Sequence, residues 1–168
     1  PNPYSGAGWK NRVTLEHWTP GKEGQAPQMA QRVVESNIMC TVGMDALVNL
    51  LSTSALAFTA TNGFVQAGAI GTGSSGPAST DTALANSTAS VHVSAASMNI
   101  SDKGARTLEY QMTFDDALAY TVKEVGLFAS NGVTGSCVAR STLAATDQVI
   151  KGTADTINIS HQIIFTTA

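Results

Sequence analysis

The sequence is short of charge. Only 12% of its 168 residues are Asp, Glu, Lys or Arg, about half the ~25% usual in globular domains. Nine basic and twelve acidic side chains leave a formal net charge of −3, and Lys and Arg nowhere cluster. That argues against an electrostatic grip on nucleic acid or on an anionic membrane. Long apolar runs are missing too: none approaches the ~20 residues of a membrane-spanning helix. No basic-then-apolar segment opens the chain. The expectation is a soluble protein with neither nucleic acid nor membrane as partner. Cysteine is scarce, with Cys40 and Cys137 almost a hundred positions apart and no CxxC pair. Metal-site spacing is therefore absent. Two readings of the cysteines stay open, buried reduced thiols or a disulfide. Heptads and internal repeats are also lacking, which excludes a fibre shaft or coiled coil. Disorder is excluded by 43% hydrophobic residues at low net charge.

Ser and Thr, Ala and Gly fill the space that charge leaves. Such a composition suits strands, turns and a surface that partly meets other protein. Residues 1–30 hold four of the five prolines and both tryptophans, with Val13 and Leu15 alternating in a short strand over 11–18. The remainder of that stretch reads as an extended arm. Its Tyr4, Trp9 and Trp18 are candidate anchors on a neighbouring surface. Val33, Val34, Ile38 and Met39 suggest a strand or a lead-in to one. Met44, Leu47, Val48 and Leu51 then follow helical spacing, with Thr41 as a cap, and predict an amphipathic helix over about 42–56.

From Phe58 onward the pattern is β. Residues 64–70 read as a small-residue strand, and residues 71–81 as a long Gly/Ser/Pro/Thr loop. Leu108, Tyr110, Met112 and Phe114 alternate over 107–114, as do Ile157, Ile159, Ile163 and Phe165 near the end, interrupted by His161. Further strands are expected over 90–96, 121–128 and 136–143, and Asn131-Gly132 is a hairpin signal. The predicted architecture is mainly β: an antiparallel β-sandwich over 31–168 with the helix packed on it and 1–30 as an arm.

Candidate chemistry is thin. Gly71-Thr-Gly73-Ser-Ser-Gly76 matches GxGxxG, but Pro77 and no amphipathic helix follow it, so a structural loop is the better reading than a dinucleotide site. His17, His92 and His161 fall at strand-like positions outside any nucleophile elbow. Asp115-Asp116 end a strand at a turn, where Asp is favoured. The sequons at Asn86, Asn99 and Asn158 are what chance supplies in a chain this rich in Ser and Thr. Neither enzymatic activity nor any cofactor or metal is expected. The informative segment is Lys123-Glu-Val-Gly-Leu-Phe128. Alternation places Glu124 among apolar neighbours, where a carboxylate is costly unless paired. Arg140 on the following strand is the natural partner, an edge-strand Glu in water the alternative.

These residues carry a resemblance. Gly71-Thr-Gly73, Pro77, Thr80-Asp-Thr-Ala-Leu84, Glu124-Val-Gly-Leu-Phe128, Val138-Ala-Arg140 and Ile163-Ile-Phe165 follow in the order of a pattern seen in tailed-bacteriophage virion proteins. Residues 37–51 also resemble that pattern upstream, so the likeness spans roughly 33–168. The Pro/Gly-rich N-terminus lies outside it. The resemblance implies a non-catalytic structural protein in which Glu124 and Arg140 hold the fold. It implies a place in the virion, assembled in the host cytoplasm, with the major capsid protein or other virion proteins as partners and a homo-oligomer as the working state. A capsid decoration or cement protein is the first expectation, because no long C-terminal fibre extension is present. A tail or tail-fibre attachment component is the nearer alternative. From the residues alone, Tyr4, Trp9 and Trp18 leave open a carbohydrate-binding β-sandwich module.

Overall fold

A computed structural model describes residues 8–41, 43, 65–94, 98–104, 107–129 and 136–166. Among these residues eleven strands follow in chain order. They are β1 (Gly8–Thr19), β2 (Gln28–Met39), β3 (Ala67–Gly71), β4 (Ser87–Ser94), β5 (Asn99–Asp102) and β6 (Thr107–Phe114), then β7 (Tyr120–Val122), β8 (Glu124–Phe128), β9 (Cys137–Thr142), β10 (Val149–Lys151) and β11 (Thr156–Thr166). Nine of them form one sheet in the order β4-β3-β8-β9-β2-β1-β11-β6-β5, and β7 pairs with β10 in a small ribbon. All the pairings are antiparallel.

Period-2 patterning builds the middle of the sheet. Val13 and Leu15 on β1, Ile157, Ile159 and Ile163 on β11, and Tyr110, Met112 and Phe114 on β6 all turn into one core. Their polar neighbours Thr14, Ser160 and Gln111 stand on the opposite face, as alternation requires. Register locks this arrangement: Leu15 faces Ile159, and Ile159 faces Met112. A slip of one residue would turn every one of these side chains outward. The β1–β2 connection turns at Gly24, whose φ of +78° favours glycine, with the Gln25 N–H donating to the Lys22 carbonyl at 2.7 Å.

Three expectations need correction. There is no two-sheet sandwich among the described residues. Strand β2 pairs with β1 along most of its length and with β9 only through Ile38 and Met39, so one continuous sheet carries both halves. The sheet coils until Met112 of β6 reaches Gly68 of β3, whose missing Cβ leaves room for the Met112 sulfur. It stays open, because its outer strands β4 and β5 are not bonded to each other.

The second correction concerns the N-terminal arm. Strand β1 runs between β2 and β11 and is paired on both sides, so residues 8–19 belong to the heart of the sheet and no boundary near residue 30 separates them from it. Long-range pairing with β11 supplies the hydrogen bonds that the local Pro/Gly content seemed to deny. Thirdly, the described residues contain no helix beyond helical backbone at Thr41 and Gly43. The remainder of the segment expected over 42–56 lies outside the described residues, as does the Asn131-Gly132 turn.

Candidate functional site

Strand β8 is buried along its whole length, which a sheet with one face in water does not allow. Val125 and Leu127 enter the main core, while Glu124, Gly126 and Phe128 face the other way. Residues 72–86, the connection from β3 to β4, cover that second face. Leu84 from this connection joins Phe128, Ala67, Ala69, Cys40 and Cys137 in a small satellite core. A Cβ on Gly126 would stand 2.8 Å from Leu84, so the glycine lets the covering loop sit close.

A buried carboxylate holds the loop down. Glu124 is fully buried, and its Oε1 accepts the backbone N–H groups of Gly73 at 2.9 Å and Asn86 at 2.8 Å. Its Oε2 accepts the Ala85 N–H at 2.9 Å, Arg140 Nε at 3.0 Å and Arg140 Nη2 at 2.8 Å. The same oxygens explain two glycines of the GxGxxG run. A Cβ on Gly71 would come within 2.6 Å of Glu124 Oε1, and one on Gly73 would strike the same atom. Those glycines make room for a carboxylate of the protein itself, not for a pyrophosphate.

Arg140 completes the clamp from β9, where it is 2% exposed. Its Nη1 donates to Asp81 Oδ2 at 2.6 Å and its Nη2 to the Ser75 carbonyl at 2.9 Å. Asp81 in turn accepts the Ala78 N–H at 2.8 Å. Burial alone would raise the Asp81 carboxyl, but the Ala78 N–H and the Arg140 guanidinium outweigh it and hold the group below the usual Asp range. Burial likewise opposes the Arg140 charge, and Asp81 and Glu124 overcome it, raising its pKa. One cation between two carboxylates, with backbone N–H groups taking the remaining lone pairs, satisfies the buried charges.

A second polar feature lies on the outer face of β2, β1, β11 and β6. A cleft of about 580 Å³ is lined there by Arg12, Glu16, Arg32, Glu109, Gln111 and Gln162 among others. Glu109 is buried and bonded to Lys103 at 2.8 Å, Ser160 at 2.6 Å and Gln162 at 3.0 Å. Burial would raise its carboxyl, yet these donors pull it down to about 2. Cleft side chains bond to one another, Thr113 donating to Asn158 and Gln111 to Glu109, and Asn99 from β5 donates to Gln111.

The other sequence candidates fall into structural places. The Gly152 N–H and His17, which bonds Asp155 at 2.8 Å, together hold the Asp155 carboxyl below its usual range. His161 is buried on β11, and desolvation lowers its pKa to about 3. The ring is therefore neutral at ordinary pH. Lys151, which follows the informative segment in the sequence, is fully buried and donates to the carbonyls of Asp116, Leu118 and Gly152. Its only signal was a cation following Val149 and Ile150. Asp116 accepts from the Tyr120 hydroxyl at 2.9 Å and lies 3.8 Å from the Lys151 ammonium. Trp18 is half-buried at the end of β1, Trp9 lies on the same strand, and Tyr4 is outside the described residues.

Among the described residues no three His, Cys, Asp or Glu side chains group as metal ligands. What the clamp can do chemically is fix a loop, because its charges are spent on one another and on backbone N–H groups. No protein-family model, curated protein or solved structure matches the chain.

Proposed function

We propose that this chain is a non-enzymatic structural protein of a tailed-bacteriophage particle, acting as a capsid decoration protein that binds through a preformed surface loop. The observation that carries this reading is the convergence of its motif residues. Gly71, Gly73, Asp81, Leu84, Glu124 and Arg140 are scattered over seventy positions; five of them meet at the clamp, and Leu84 packs over Gly126 of β8. The motif is therefore a device for holding residues 72–86 in one shape over the sheet.

The loop presents Ser74, Ser75, Gly76, Ser79 and Thr80 outward, all uncharged and exposed. A neutral surface whose backbone is already ordered loses little entropy on docking, which suits many weak, repeated contacts on a particle. This replaces the N-terminal arm as the contacting element, because β1 is committed to the sheet.

Mass-spectrometric quantification of purified particles tests the reading. Copy number near that of the major capsid protein is the expected result. A handful of copies per particle would move the protein to the tail or fibre base. Its absence from particles would refute a virion role.

A further inference from the structure

The sheet has one weak seam. Among the described residues, strand pairing joins β4-β3-β8-β9 to β2-β1-β11-β6-β5 only where β9 meets β2, and that register holds two residue pairs, Ile38 with Arg140 and Met39 with Ala139. By comparison, β1 is paired with β11 from Gly8 to Trp18. The seam is extended by the Cys40 N–H donating to the Val138 carbonyl at 2.8 Å and by the Ser141 hydroxyl on the Ser36 carbonyl at 3.0 Å. Both cysteines of the chain lie there. Cys40 directly follows β2, Cys137 opens β9, and their Sγ atoms are 3.4 Å apart with both residues buried.

We propose that Cys40 and Cys137 are an intramolecular disulfide site, whose oxidation staples the two halves of the sheet at this seam. The sulfurs already touch at 3.4 Å, and bonding closes that gap to the ~2.05 Å of a disulfide. The thiol–thiol hydrogen bond holds Cys40 below the ordinary thiol value, while that bond and burial push Cys137 up. Cys40 therefore supplies the first thiolate.

The oxidant is a low-molecular-weight disulfide such as oxidised glutathione. The Cys40 thiolate attacks one of its sulfurs, forming a mixed disulfide and displacing one small thiolate, which takes up a proton. The Cys137 thiolate then attacks the Cys40 sulfur and displaces the second small thiol. Two protein thiols are oxidised and one small disulfide is reduced to two thiols. Residues 78–82 lie over the pair, with the Cys137 N–H donating to the Thr82 carbonyl and the Thr41 N–H to the Ser79 carbonyl. The exchange therefore runs once the seam has brought the two sulfurs together and before this cover closes over them.

The test refolds the full chain in oxidised glutathione and, in parallel, in a reductant. The oxidised sample is expected to lose about 2 Da, one hydrogen from each thiol, to resist alkylation after denaturation, and to yield a cross-linked peptide containing Cys40 and Cys137. A loop of this length raises Tm by about 8–15 °C when closed. Cys40→Ala and Cys137→Ala, each compared with itself in both conditions, should show no such rise. Two alkylatable thiols after oxidative refolding, or a bond formed only between chains, would overturn the site. An internal bond that leaves Tm unchanged would overturn the staple.

Discussion

Replacing Glu124 by Gln keeps the side chain's shape and removes its charge, so the result isolates what the carboxylate does. Its two oxygens face five N–H donors, from Gly73, Asn86 and Ala85 and two from Arg140. An amide has one oxygen. Whichever way the substituted amide turns, its NH2 meets either the Gly73 and Asn86 donors or those of Ala85 and Arg140, and buried donors are left facing a donor. Each such orphan costs about 1–3 kcal/mol. Arg140, 2% exposed, also loses one of its two counter-charges. Breaking a buried pair from one side costs about 3–5 kcal/mol. We therefore expect Glu124→Gln to lower stability by about 4 kcal/mol and Tm by about 8–16 °C. Urea titration followed by circular dichroism gives the first quantity and a thermal melt the second. In a cycle with Arg140→Met, the double variant should be less destabilised than the sum of the singles. A loss below ~1 kcal/mol, the range of exposed pairs, would refute the buried-clamp argument.

Three further outcomes follow from the same structure. Deleting residues 8–19 removes a strand paired on both sides and should leave an unfolded or aggregated chain by circular dichroism; a cooperative melt of the truncated protein would show that β1 is dispensable. Glu109, with a native pKa of about 2, binds its proton later than the unfolded chain does. Its stabilisation is complete above pH ~4.5 and is lost as pH falls toward 2, amounting to at most about 3 kcal/mol, so Glu109→Gln should flatten the urea midpoint across that window. His161 has the reverse charge and the same sense: the unfolded imidazole takes up a proton below pH ~6.5, while the buried one waits until about 3. Stability should fall by about 2 kcal/mol from pH ~7.5 to ~5 on this account, and an NMR inflection of His161 near pH ~6.5 in the folded protein would contradict it.

Local pattern determined much of this protein by itself. Alternation over 107–114 and over 156–166 depends only on which side chains avoid water, and β6 and β11 lie there with Tyr110, Met112, Phe114, Ile157, Ile159 and Ile163 inward. A carboxylate amid apolar neighbours needs a cation, and the structure brings Arg140 to Glu124 from the next strand. Other features were beyond any local window. Residues 121–128 look like one strand, yet they divide at Lys123, because β7 pairs with β10 whereas β8 pairs with β3 and β9. Strand β1 sits among prolines and glycines, and its place in the sheet comes from β11, at the far end of the chain. Whether the strands make two sheets or one turns on the last two residues of β2, which pair with β9 after the rest of that strand has paired with β1. Sequence sets the face that each strand buries, since burial is a property of single side chains. Partner and curvature are collective, decided by which distant strands close the core together, and only the tertiary structure settles them.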